Sequence, residues 1–232
     1  MNKDMPAKQA GRMHWVILIG AIVVVILAVL TASVIIQEDS PATAETEQAI
    51  ADSFTAALAS EHSPTMGDPN AKVHIVEFLD PACETCALFF PMVKQWMSEV
   101  PEKMRLSVRH VPFHNGSEYA VRILEASREQ GKYWETLEAL LMSQRQWTQN
   151  HTVIQDRILP AIADVGLDMD KLEADMNRMD ILVRMERDQE DAKTVQVRAT
   201  PEYYVNGRPL PSFGREQLAQ LVRDELAKAY PQ

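Results

Sequence analysis

Cys83 and Cys86 are the only two cysteines of this 232-residue chain, and they lie two residues apart in the run "DPACETCALFF" (80–90). Thiols at that spacing do one of three things. They exchange electrons as a dithiol–disulfide pair, supply half of a metal site, or close a small structural clip. A clip this short contributes little, because cross-link stabilisation grows with the length of the loop it closes. Zinc sites normally need four ligands. The six histidines, His14, His62, His74, His110, His114 and His151, offer no paired set on one helix. His110 and His114 are four apart, but they bracket Pro112 at the end of an apparent strand. No metal site is expected.

Redox chemistry asks for an asymmetric pair. From Cys83 onward the apolar residues Leu88, Phe89, Met92, Val93 and Trp96 recur at three and four, so the cysteines open a helix. At a helix start the backbone N–H groups lack intrahelical partners and the dipole is positive, which favours a thiolate at Cys83. Cys83 is then the attacking sulfur, and Cys86, one turn deeper, resolves the mixed disulfide. Pro91, inside this helix, is expected to kink it.

The elements that hold the pair follow from periodicity. "KVHIVEFL" (72–79) is a nearly continuous apolar run and reads as a strand buried on both faces. "MRLSVRHVPF" (104–113) is a second strand, and strand–helix–strand with both strands apolar predicts a parallel βαβ unit. Residues 117–194 read as several helices, punctuated by Gly131, "TQNHT" and "VGLDMD", with Asp168 capping one of them. "TPEYYVNGRPL" (200–210) carries two short strands around Asn206-Gly207, a hairpin signal, and an amphipathic helix closes the chain with Leu218, Leu221, Val222 and Leu226 on one face. "SPTMGDPNA" reads as loop. "SPATAET" (40–46) reads as a linker before a short amphipathic helix over 47–60, which would pack on the domain, stand off as a spacer or pair with a second copy.

Compartment comes from the N-terminus. Trp15–Ile36 is 22 residues without a charge, long enough at about 1.5 Å per residue to span roughly 33 Å of bilayer. Residues 1–14 carry a net +2 from Lys3, Lys8 and Arg12 against Asp4, placing them in the cytoplasm and the rest of the chain outside. The run exceeds the core of a cleaved signal peptide, and its nearest tidy cleavage site, Ala42-Thr43-Ala44, lies several residues beyond it. An uncleaved anchor is expected. The formal charge of −10 leaves −12 on the exported part, which argues against a nucleic-acid surface.

Three stretches in order, "GDPNAKVHIVEFLDPACETC", "FHNGSEYAVRILEASREQGKYWETLEALL" and "TPEYYVNGRPL", resemble the DsbA-like branch of the thioredoxin superfamily from about Met66 to Tyr230. The resemblance implies an α/β thioredoxin fold with an inserted helical domain, here preceded by an N-terminal transmembrane helix. The organisation expected is a cytoplasmic segment 1–14, an anchor 15–36, a linker and short helix 37–65, a first half of the core 66–116, the helical insertion 117–194 and a second half 195–232. It also implies that Thr200-Pro201 is a cis-proline loop binding substrate backbone opposite the sulfurs. Glu77 then matches the acidic residue buried beneath the dithiol, where desolvation raises its pKa and makes it a proton acceptor for Cys86. The dipeptide Glu84-Thr85 departs from the Pro-His of strongly oxidising members. An acid there, with Asp80 nearby, should disfavour the Cys83 thiolate and make the couple less oxidising.

The reading that results is a membrane-anchored, extracytoplasmic (periplasmic) thiol:disulfide oxidoreductase with no cofactor beyond its own Cys83–Cys86 pair. A dithiol oxidase is favoured, with an isomerase or reductase next and a non-catalytic peptide-binding or chaperone module last. The implied partners are unfolded or partly folded exported proteins and a membrane redox partner, either a quinone-coupled oxidase or an electron donor.

Overall fold

The computed structural model describes residues 41–231. The chain divides between Asp52 and Ser53, and α1 (Pro41–Leu58) runs through this boundary. The expected linker is therefore already helical. Proline is tolerated at a first helical position, where no backbone donor is needed. From Glu45 to Asp52 the helix is exposed, with Gln48 Nε2 donating to Asp52 Oδ1 at 2.8 Å. The expected span Trp15–Ile36 lies outside the described residues, among which no helix is long and apolar enough to cross a membrane.

From Ser53 onward the fold is built on a five-stranded sheet in the order β1-β3-β2-β6-β7. β2 (Val73–Leu79) and β3 (Met104–His110) pair in parallel across α2 (Glu84–Glu99), as the βαβ reading requires. β6 (Glu202–Val205) runs antiparallel to β2, and β7 (Arg208–Pro209) turns back on it through Asn206 and Gly207, both left-handed at φ 49° and 78°. α9 (Arg215–Ala229) completes this half, burying Leu218, Leu221 and Val222.

β1 (Thr65–Gly67), an edge strand antiparallel to β3, falls in the stretch expected to be loop. Its three residues are too few to show a period. Gly67, at φ 95°, ends it where a Cβ would come within 2.3 Å of the Met104 carbonyl oxygen, so only glycine allows this approach.

Side chains along β2 alternate between two cores. Ile75 and Leu79 join Cys86, Phe89, Tyr203 and Leu218 on one face, while Val76 and Phe78 meet Ala57, Leu58 and Tyr204 on the other. Position 77 therefore falls on the face that carries the cysteines. The buried Arg109 of β3 ties the second face together. It donates to the Ala57 carbonyl at 2.5 Å and to Asp188 Oδ1 at 2.6 Å, and it also pairs with Asp191.

Between β3 and β6 lies the helical insertion: α3 (Ser117–Arg128), α4 (Tyr133–Met142), α5 (Gln144–Trp147), α6 (Ile158–Ala161), α7 (Met169–Asp175) and α8 (Met179–Thr194). Asp168 caps α7, accepting from Lys171 N at 3.0 Å. "TQNHT" is more than a helix break. It forms a small hairpin of β4 (Thr148–Gln149) and β5 (Thr152–Val153).

Candidate active site

Cys83 is the N-cap of α2, in extended conformation, and both cysteines are buried free thiols. The cap position exposes the sulfur to the first N–H groups of the helix, the arrangement inferred from the sequence. Opposite it, the Thr200-Pro201 bond is cis and directs the Thr200 carbonyl to the site, where it accepts from Cys83 Sγ at 3.2 Å. Cys83 and Thr200 are 117 positions apart, with the whole insertion between them, yet the sheet returns the loop to face the first sulfur.

The two thiols have opposite acidities. Cys83 is pulled down to about 5, first by a hydrogen bond from Cys86 and then, against the cost of burial, by the Thr200 side chain and the backbone N–H groups of Cys86 and Thr85. The Thr200 carbonyl contact suits the protonated thiol, and these donors to the anion outweigh it. Cys86 is pushed far up by burial, by its role as donor to Cys83 and by the neighbouring charge of Glu77. One sulfur is therefore a thiolate at neutral pH and the other holds its proton.

Glu77 lies beneath them, fully buried, with its pKa raised to about 8. Desolvation is the chief cause. A hydrogen bond from Tyr203 pulls the other way, and the Cys83 charge adds to the rise. Register explains the tyrosine. Glu77 and Tyr203 are direct antiparallel partners on β2 and β6, so their side chains share a face, and Tyr203 donates to Oε1 at 2.8 Å. The second oxygen, Oε2, has no hydrogen-bond partner among the described residues and is available to receive a proton.

Glu84 and Asp80 do not act on Cys83 as expected. Neither is among the main groups that shift it, and the thiolate is favoured. Asp80 is wholly buried and its carboxylate is spent on the loop. It accepts from Ala82 N (2.8 Å), His114 N (2.8 Å), His114 Nδ1 (2.7 Å) and the Ser117 hydroxyl. Glu84 is exposed and turned to His151, with Oε2 3.3 Å from Nδ1. Thr85 is partly buried and acts through its backbone N–H.

Sequence reasoning missed the supporting residues. Ser117, at the head of α3, and Gln144 of α5, which donates to the Pro81 carbonyl at 2.8 Å, clamp the turn before Cys83 from the insertion. Phe89 stacks on both Tyr203 and Phe213, with centroids at 5.9 and 5.1 Å. No local pattern marks these residues, because their partners are distant in sequence.

A family model described as thioredoxin matches residues 59–224. The chain belongs to the thioredoxin family. Among solved structures it is similar to a thioredoxin-like oxidoreductase from Silicibacter pomeroyi DSS-3, at 27% identity and TM-score 0.64 over 77% of this chain and 98% of that one. The catalytic domain of Proteus mirabilis ScsC shares the fold at 19% identity and TM-score 0.64, over 77% and 97%. Wolbachia pipientis α-DsbA1 does so at 19% and 0.64, over 76% and 97%. The fold is thus the DsbA-like one, a thioredoxin core with a helical insertion. A curated relative, the Na(+)/H(+) antiporter NhaA of Herminiimonas arsenicoxydans, is 29% identical over 144 residues, 62% of this chain but 22% of the antiporter. The chain spans about a fifth to a quarter of the length of the curated relatives it matches.

Proposed function

We propose that the protein is a thiol:disulfide oxidoreductase that exchanges disulfides with other proteins, working as a dithiol oxidase. The observation that carries this is the pairing of a Cys83 held near 5 with the cis Thr200-Pro201 loop facing its sulfur. In the oxidising direction, a client thiolate attacks Cys83 Sγ of the disulfide and the Cys83–Cys86 bond breaks. Cys86 leaves as a thiolate and is protonated from Glu77 through its unpartnered oxygen. A second client thiolate then attacks the client sulfur of the mixed disulfide. The client leaves oxidised and Cys83 leaves as a stable thiolate. High acidity at Cys83 favours the reduced product, which supports oxidation over reduction.

Clients would lie along the Thr200 carbonyl, extending over exposed apolar side chains beside the helix start. Leu88 and Met142 line a groove of about 240 Å³ there with Ala87 and Leu141. Such a surface suits unfolded chains. The uncharged run Trp15–Ile36 and the basic residues before it supply an anchor and a periplasmic catalytic domain, and the family resemblance supplies re-oxidation by a quinone-coupled membrane partner.

The test is a Cys86→Ala variant expressed in the native compartment, followed by non-reducing electrophoresis. Mixed disulfides through Cys83 that collapse on reduction are expected. A variant that traps nothing, while its Cys83 remains alkylatable, would favour a peptide-binding module. Assays of the wild type on reduced and on scrambled substrates separate oxidase from isomerase.

A further inference from the structure

We propose that Glu84, His114 and His151 form a three-ligand site for a divalent cation of the zinc type at the rim of the thiol pair. Their ligand atoms all lie within 4.8 Å of one another. Zinc takes two histidines and one carboxylate at about 2.0–2.2 Å, with water in the remaining position. Closing the set around an ion asks for movements of roughly 1 Å, and two of the three side chains, Glu84 and His151, are exposed and free to make them.

The stronger argument lies behind the ligands. The buried Asp80 carboxylate accepts from His114 Nδ1 at 2.7 Å, while the Ala82 and His114 N–H groups and the Ser117 hydroxyl hold it in place. That bond keeps the imidazole proton on Nδ1 and leaves the Nε2 lone pair as the ligand. A carboxylate behind a histidine is the usual support of a metal-binding imidazole.

His151 is delivered by an unusual turn. The β4–β5 hairpin turns through Asn150 and His151 at φ 50° and 57°, whereas the β6–β7 hairpin of the same chain has Asn206 and Gly207 at φ 49° and 78°. Glycine is the favoured residue at the second position, and a histidine there holds a left-handed conformation that side chains seldom adopt. The turn sets His151 alongside His114, with ring centroids 5.5 Å apart at 29°, and its Nδ1 3.3 Å from Glu84 Oε2.

Ion pairing alone, Glu84 with His151 and Asp80 with His114, would make cations of both stacked rings. Two protonated rings so close would repel each other, whereas one cation uses both in their neutral form. The absence of a metal site expected from the sequence rested on four-ligand structural zinc. This cluster joins three separated segments.

Glu84 directly follows Cys83, so a cation held here would replace a negative charge with a positive one beside the attacking sulfur. That consequence rests on the thiol-exchange reading, but the site does not. The experiment uses the full chain in detergent with Cys83 and Cys86 oxidised to the disulfide, so that no thiolate competes for metal. Zn2+ is titrated by calorimetry and by competition with a chromogenic chelator. One ion per chain is expected, weakened tenfold or more in His151→Ala and in Glu84→Gln. Asp80→Asn should weaken it too, by about 10- to 100-fold. Co2+ should give a spectrum of nitrogen and oxygen ligands. The proposal is overturned by oxidised protein that binds no Zn2+ saturably, or by undiminished binding in His151→Ala, which would leave an ion pair only. His151 is an exposed turn residue whose loss spares the core. Failure of client trapping alongside intact zinc binding would sink the exchange reading and leave the metal site standing.

Discussion

Replacing Cys86 by alanine should raise the Cys83 midpoint by about one to two pH units. The Cys86 thiol is the largest influence favouring the Cys83 thiolate, and its loss leaves the Thr200 side chain and the Thr85 and Cys86 N–H groups in place. A hydrogen bond to a charged group contributes about 1.5–3 kcal/mol, and each pH unit corresponds to about 1.4 kcal/mol, which gives the one to two units. The midpoint should move from about 5 to roughly 6–7, still below the ordinary 9.0. Thiolate absorbance at 240 nm against pH, checked by the pH dependence of alkylation by iodoacetamide, measures it in both proteins. Cys86→Ser keeps a donor and should shift less. If the wild-type midpoint stands near 8.5, or if Cys86→Ala leaves it unmoved, the donor account of Cys83 acidity is wrong.

The same acidity predicts the reduction potential. Cys83 ionises lower than an ordinary thiol, so its contribution to the dithiol form is complete above pH 9.0, shrinks as pH falls and vanishes below about 5. At pH 7 that is about 2.7 kcal/mol, or about 1.4 after halving for solvent screening at the site mouth, which makes the couple about 30 mV more oxidising. Equilibration with glutathione at pH 7 and 5.5 tests this, with the extra oxidising power largely gone at the lower pH. Glu77 has the opposite sign. Folded, it keeps its proton to about 8 instead of 4.5, so unfolding releases a proton and stability declines as pH rises between those values. Glu77→Gln should flatten that slope, gaining about 3 kcal/mol relative to wild type at pH 7 in urea unfolding, while slowing the Cys86 step. Arg109→Met strands the buried Asp188 carboxylate and should cost about 3–5 kcal/mol in the same assay, without moving the Cys83 midpoint. Ser117→Ala loosens the Asp80 loop, and hydrogen exchange at Ala82 and Cys83 should rise severalfold while the sheet stays protected.

Local chemistry was legible in the chain before any contact was known. The spacing of Cys83 and Cys86, the helical period that follows and the apolar strand ahead of them place one sulfur at a helix start. The helix-terminal N–H groups there act over a few ångströms, within one turn. Asn206-Gly207 and Asp168 likewise mark a hairpin and a cap through backbone preferences of single residues. The family resemblance singled out Glu77 and Thr200-Pro201 in advance, but their partners came from strand register and chain return. Glu77 meets Tyr203 only because β2 and β6 pair at that register. Charge was where one-dimensional reasoning reached least far. Glu84 and Asp80 are neighbours of Cys83 in sequence, yet folding turns one to His151 and buries the other among four donors. Electrostatic influence depends on distance and on competing partners in space, and both are set by the tertiary structure.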